Sequence, residues 1–101
     1  MSTTKPFLKH QYRGSLTVTV DILQACMHAG IEGILISKIS QKANLSYNAV
    51  VENCKKLIDA DLVKSVRNKR NYVFMITEKG IKLLREFQKF QDMIKEVNIR
   101  Y

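Results

Sequence analysis

Between Ser37 and Leu62 the chain carries two short helical patterns separated by residues that favour a turn, and this stretch constrains the fold more than any other. Ser37 is placed to cap the first helix, which continues through Lys38-Ile39-Ser40-Gln41-Lys42-Ala43. Asn44 follows where the chain must reverse, and asparagine tolerates a positive φ at low cost. Ser46 is the second cap, with Leu45 before it and Val50 after it at the positions of a hydrophobic staple. Val50, Cys54, Leu57 and Ile58 then recur at helical spacing and are expected to form one buried face, with Asp61 continuing the spacing. Asn48, Glu52, Lys55 and Lys56 fall on the opposite face, flanked by Tyr47 and Val51. Two helices joined by three or four residues form a helix-turn-helix, whose second helix has the dimensions to enter a DNA major groove.

The residues after Leu62 narrow the reading. Val63-Lys64-Ser65-Val66 and Tyr72-Val73-Phe74-Met75-Ile76 are rich in β-branched and aromatic residues and predict two strands. Arg67-Asn68-Lys69-Arg70-Asn71 between them is expected to be the loop of a hairpin. A hairpin directly after a helix-turn-helix makes a winged helix, with the loop as the wing. From Lys64 to Arg70 there are four cations and no acid. Arg67, Lys69 and Arg70 suit contact with a minor groove or a phosphate backbone. A solvated loop whose charges protect a sheet edge has the same composition.

Upstream, Ser15 is expected to cap a helix whose core stripe is Leu16, Val20, Leu23 and Met27, widened by Ile22 and Cys26. Gly30 stands where a helix C-terminal glycine belongs, and Ile34-Leu35-Ile36 reads as a short strand or an extended link. Met1 to Tyr12 shows no periodicity; Lys5, Lys9, His10 and Arg13 lie in or beside it, and no acid precedes Asp21. Residues 1–14 are therefore read either as a basic arm or as a frayed terminus.

Thr77 is expected to cap a last helix over residues 78–101, with Ile81 and Leu84 packing onto the domain formed by residues 15–77. Leu83, Phe87, Phe90, Ile94, Val97 and Tyr101 are spaced four, three, four, three and four, an a/d seam. A helix of this length spans roughly 36 Å, so its distal part is expected to project. An apolar stripe in water needs a partner, and the simplest is a second copy; a helix folded back over its own domain is the alternative.

The balance of 17 Lys plus Arg against nine Asp plus Glu gives a net charge of +8 over 101 residues, enough for one domain. Such an excess points to a polyanionic partner. No stretch is apolar enough to span a bilayer, and a cytoplasmic, nucleoid-associated protein is expected. Cys26 and Cys54 fall on apolar helical faces and read as buried free thiols. The chain shows no metal-ligand spacing, phosphate-cradling glycine loop or nucleophile–base pairing. Neither a cofactor, a small-molecule ligand nor an enzyme activity is expected.

Three phrases, Asp21-Ile22-Leu23-Gln24-Ala25, Ala43-Asn44-Leu45-Ser46-Tyr47 and Tyr72-Val73-Phe74-Met75-Ile76-Thr77-Glu78-Lys79-Gly80, carry a resemblance that extends over nearly all of the chain from Arg13. The chain resembles the small archaeal winged-helix proteins of the ten-a family and related one-domain archaeal regulators. That resemblance implies a homodimer joined by an antiparallel coiled coil, binding double-stranded DNA as a chromatin protein or a transcription regulator.

The expected architecture is therefore α+β and mostly helical: a winged helix-turn-helix with a long C-terminal dimerisation helix. Ser46, Tyr47, Asn48, Glu52 and Lys55 are expected nearest the DNA. Asn48 is suited to pair with adenine, and Tyr47 to touch a phosphate or a thymine methyl. Lys38, Lys42 and Lys56 are expected on phosphates, with Arg67, Lys69 and Arg70 placing the wing. Glu52 either accepts from a cytosine amino group or is turned away. The rival reading is a protein-interaction module with no DNA target. RNA binding ranks lower, because Tyr47 is the one obvious exposed aromatic of the reading helix.

Overall fold

The computed structural model describes residues 14–99; the basic arm up to Arg13 and the seam residue Tyr101 lie outside the described residues. In chain order the elements are α1 (Ser15–Ala29), a single 3-10 turn (Gly30–Glu32), α2 (Ile36–Ala43), α3 (Tyr47–Asp59), β1 (Val63–Asn68), β2 (Asn71–Ile76) and α4 (Glu78–Ile99). The two strands pair antiparallel, Val63 opposite Ile76 through to Asn68 opposite Asn71. Ile34 adds a lone antiparallel bridge to Phe74 on the free side of β2. Of Ile34-Leu35-Ile36, expected as a short strand or an extended link, only Ile34 pairs, with both of its backbone hydrogen bonds going to Phe74 at 3.0 and 2.8 Å, and Ile36 already belongs to α2.

Helix α1 is central, packing against α2, α3, β2 and α4. Its burial is correspondingly broad: Val18, Val20, Ile22, Leu23, Ala25 and Cys26 are all inside. Leu16, expected in the core, is instead 53% exposed, because the first turn of α1 runs out beyond the elements that cover the rest. Ser15 does not cap this helix either. Gly14 holds the N-cap position with an extended backbone, and its carbonyl accepts from Val18 N–H at 3.1 Å. Ile22, Leu23, Ile39, Val50, Val63, Cys26 and Cys54 are the largest fully enclosed side chains. Removing a side chain of this kind from water contributes about 1.5–3 kcal/mol. The two thiols are free, and their burial pushes Cys26 up to about 12 and Cys54 to about 11, so both stay protonated at neutral pH.

The helix pair forms as expected at its turn and differs at its ends. Asn44 is left-handed (φ 56°), and Leu45 N–H donates to Ser40 O at 3.0 Å, closing α2. Ser46 caps α3 by accepting from Ala49 N–H at 3.1 Å. The start of α2 lies earlier than Ser37. Leu35 is the N-cap residue, its carbonyl accepting from Lys38 and Ile39 N–H at 3.0 Å each, and Ser37 sits exposed in the first turn. Ile58 is 39% exposed rather than buried, since α3 stops at Asp59 and the core beside its last turn is filled by Leu57 and Val63. Asp61 lies outside the helix in a left-handed turn (φ 63°).

The start of α4 is fastened to the link between α3 and β1. Thr77 Oγ1 accepts from Gly80 N–H at 3.0 Å and donates to Asp61 O at 2.7 Å, so one hydroxyl caps the helix and holds the link. Thr77 N–H donates to Leu62 O, and Lys79 Nζ to Ala60 O. Gly80 lies so close to this link that an added Cβ would press into the Leu62 carbonyl oxygen and lie 2.7 Å from Ile76 Cγ1. Leu84 is buried and Phe87 packs partly against the core, while Phe90, Met93, Ile94 and Val97 are exposed. The molecule is correspondingly long, 51 × 29 × 20 Å. Its radius of gyration is 15.2 Å, against about 13 Å for a compact chain of similar length.

Candidate nucleic-acid interface

Helix α3 is amphipathic, and its buried face (Val50, Cys54, Leu57) fixes what the other face shows. Tyr47, Asn48, Glu52, Lys55 and Lys56 are all exposed, as are the cap Ser46 and, on α2, Lys38 and Lys42. Val51 is half-buried on the flank. Asn53, not singled out from sequence, turns its amide back to Ala49 O at 2.8 Å and so serves the helix. Among the described residues, Glu52 forms no ion pair; the bridge present there joins Lys89 to Glu86 on α4.

The hairpin is tighter than its composition suggests. Residues 67–71 are not a five-residue loop: the strands pair through Asn68 and Asn71, leaving Lys69-Arg70 as a two-residue turn. Lys69 takes the left-handed conformation (φ 58°) that such a reversal requires. Arg67 is therefore a strand residue directly opposite Tyr72. Its guanidinium lies over the Tyr72 ring, 5.4 Å from the centroid, and donates to the Tyr72 hydroxyl and to Lys69 O, each at 3.3 Å. The arginine is thus oriented along the hairpin, a preorganisation that lowers the entropy lost when such a side chain binds.

Alternation along the strands then decides which residues face α3. Val63, Ser65 and Arg67 share a face with Tyr72, Phe74 and Ile76, and the buried Val63 and Phe74 identify it as the inner one. Its distal half meets the start of α3 across a cleft of about 630 Å³, lined by Tyr47 on one side and Ser65, Arg70 and Tyr72 on the other, with Ser37 from α2 at its edge. The structure thus gathers Tyr47 and Arg70, two residues singled out from sequence, around one opening. It adds Tyr72, Ser65 and Ser37, which the sequence pattern did not assign to a site. For Ser65 and Tyr72 the signal was the strand register, hidden as long as residues 67–71 read as a loop; for Ser37 it was the earlier start of α2 at Ile36. The described residues contain no cluster of His, Cys, Asp and Glu able to hold a metal, and no helix long and apolar enough to cross a membrane.

A helical core whose helix-turn-helix stands beside a cationic β-hairpin is a winged-helix domain. Residues 12–95 match the family model described as winged helix-turn-helix, and the chain belongs to that family. No protein of curated function matches the sequence. Among solved structures, Sso10a-2, a DNA-binding protein from Sulfolobus solfataricus, superposes with a TM-score of 0.71 at 21% identity, over 85% of this chain and 86% of that one. AF1382 from Archaeoglobus fulgidus gives 0.67 at 19% identity, over 87% and 96%. A point mutant of S. aureus MepR, bound to an oligodeoxyribonucleotide, gives 0.71 at 16% identity, over 81% of this chain and 62% of that chain. The resemblance to the ten-a family thus holds at the level of the fold.

Proposed function

We propose that this chain binds double-stranded DNA as a homodimer, acting as a transcription regulator or a small chromatin protein. The observation that carries the reading is the shared exposure of eight cations on α2, α3 and the hairpin (Lys38, Lys42, Lys55, Lys56, Lys64, Arg67, Lys69 and Arg70) against two acids, Glu52 and Asp59. In this reading α3 enters the major groove. Ser46, Tyr47, Asn48, Glu52 and Lys55 lie nearest the bases, and Asn48 is suited to a bidentate contact with adenine. Lys38, Lys42 and Lys56 neutralise phosphates. Arg67, Lys69 and Arg70 follow the adjacent minor groove or backbone. The exposed stripe Phe90, Ile94 and Val97, continued towards the domain by Leu83 and the partly packed Phe87, pairs two copies. The DNA-binding character of Sso10a-2 and the oligodeoxyribonucleotide on MepR support the same reading.

The test is a duplex titration at several salt concentrations. With about four phosphates neutralised per subunit, the slope of log K against log salt is expected near −7 for a dimer. Absence of duplex binding in dilute buffer, or binding indifferent to salt, rules the proposal out. A steep slope with no sequence preference favours packaging; a large ratio of specific to non-specific affinity favours regulation.

A further inference from the structure

We infer that the cleft between α3 and the hairpin is a nucleobase site, taking an unpaired base of a DNA strand between Tyr47 and Tyr72. This rests on the reading of the surrounding face as a DNA interface and extends it from duplex to locally opened or single-stranded DNA. Tyr47 and Tyr72 are 57% and 54% exposed, come from elements 25 residues apart in sequence, and line the same cleft. One exposed tyrosine is ordinary; two around one opening make a stacking platform, because every base has a π-face. At about 630 Å³ the cleft lies within the range of small-ligand sites.

The chemistry of the walls selects the occupant. No acid lines the cleft; Arg70 supplies charge for a phosphate, and Asn71, Ser37 and Ser65 supply groups for a base edge. Arg67, stacked on Tyr72 and hydrogen-bonded to its hydroxyl, holds that ring in place and adds a second positive charge beside it. The bases of an intact duplex spend both faces on their neighbours. Only an unpaired or extruded base offers a face to a tyrosine. The cleft therefore discriminates for opened DNA, while the cations outside it serve either form.

The experiment compares a short single strand, its duplex, and the same duplex with one bulged nucleotide, on the full chain at low salt. The sequence has four tyrosines and no tryptophan, so intrinsic emission reports on tyrosine, and stacking of a base quenches it. The single strand and the bulged duplex are expected to quench emission more than the intact duplex. Tyr72→Ala is expected to lower affinity for them about tenfold more than for the duplex, with Tyr47→Ala acting in the same direction. Tyr72→Phe keeps the ring and is expected to retain the preference. Equal loss on all three DNAs in Tyr72→Ala would mean that Tyr72 acts only by holding Arg67, and overturns the proposal. Duplex binding without single-strand binding also overturns it and leaves the duplex reading standing. Failure of all three DNAs to bind removes both.

Discussion

Gly80 shows how one residue ties sequence to architecture. It sits inside a helix, where glycine costs about 1 kcal/mol relative to alanine, yet any Cβ there would collide with the Leu62 backbone. Gly80→Ala is therefore expected to destabilise by about 1–3 kcal/mol despite its better helix propensity, as measured by denaturant unfolding; a stabilised variant would contradict the close approach. Ser46 is a milder case. Losing the bond from Ala49 N–H in Ser46→Ala should cost about 1 kcal/mol, and thermal unfolding should show a drop of about 4–8 °C. The buried thiols predict a pH effect. Their ionisation is raised from near 9 to about 12 for Cys26 and about 11 for Cys54, chiefly by desolvation. The unfolded chain ionises first as pH rises, so the stability this burial contributes is full below about pH 9 and is lost towards pH 12. A Cys26→Ala, Cys54→Ala variant, less stable overall, should show a shallower alkaline loss in unfolding titrations.

At the scale of elements, the turn between α2 and α3 and the caps at Ser46 and Thr77 were legible because they depend on neighbours in sequence, whereas the caps expected at Ser15 and Ser37 fell to Gly14 and Leu35. Asn44 and Ser46 adopt the backbone their side chains favour. The hairpin was legible as an element but not in register. Arg67 and Asn68 look like loop by composition, and only pairing with Tyr72 and Asn71 makes them strand. Register decides which side chains share a face, so Tyr72 joined the cleft beside Tyr47 only in three dimensions. The same holds for Ser37, displaced from cap to first turn once Leu35 accepted the first helical bonds. For the wing, replacing Arg67, Lys69 and Arg70 together with alanine should weaken duplex binding and flatten the salt dependence. All three are exposed, and circular dichroism should show the fold kept. An unchanged slope in a salt titration would remove the hairpin from the interface.

For the whole molecule, the projecting half of α4 dominates. Phe90, Met93, Ile94 and Val97 are 43–63% exposed on one helix. Unpaired, that stripe leaves apolar area in water at roughly 25 cal/mol per Å². Phe90→Glu with Ile94→Glu should therefore leave the winged domain folded and yield monomers in sedimentation equilibrium, with DNA affinity reduced through loss of the second domain. Dimers persisting in that variant would place the contact elsewhere. Leu84 and Phe87, nearer the start of the helix, pack against the domain and fix where the helix leaves it.

Propensity, capping and periodicity were enough to set the order of elements, the helix-turn-helix, the hairpin after it, the terminal helix and the positive surface. Each follows from residues within a few positions of one another. Long-range packing settled the remainder: which apolar residues are inside, the strand register, the closeness of Gly80 to Leu62, and the placing of Tyr47 and Tyr72 around one cleft. Those depend on surfaces brought together from distant parts of the chain, where burial and packing outweigh local preference.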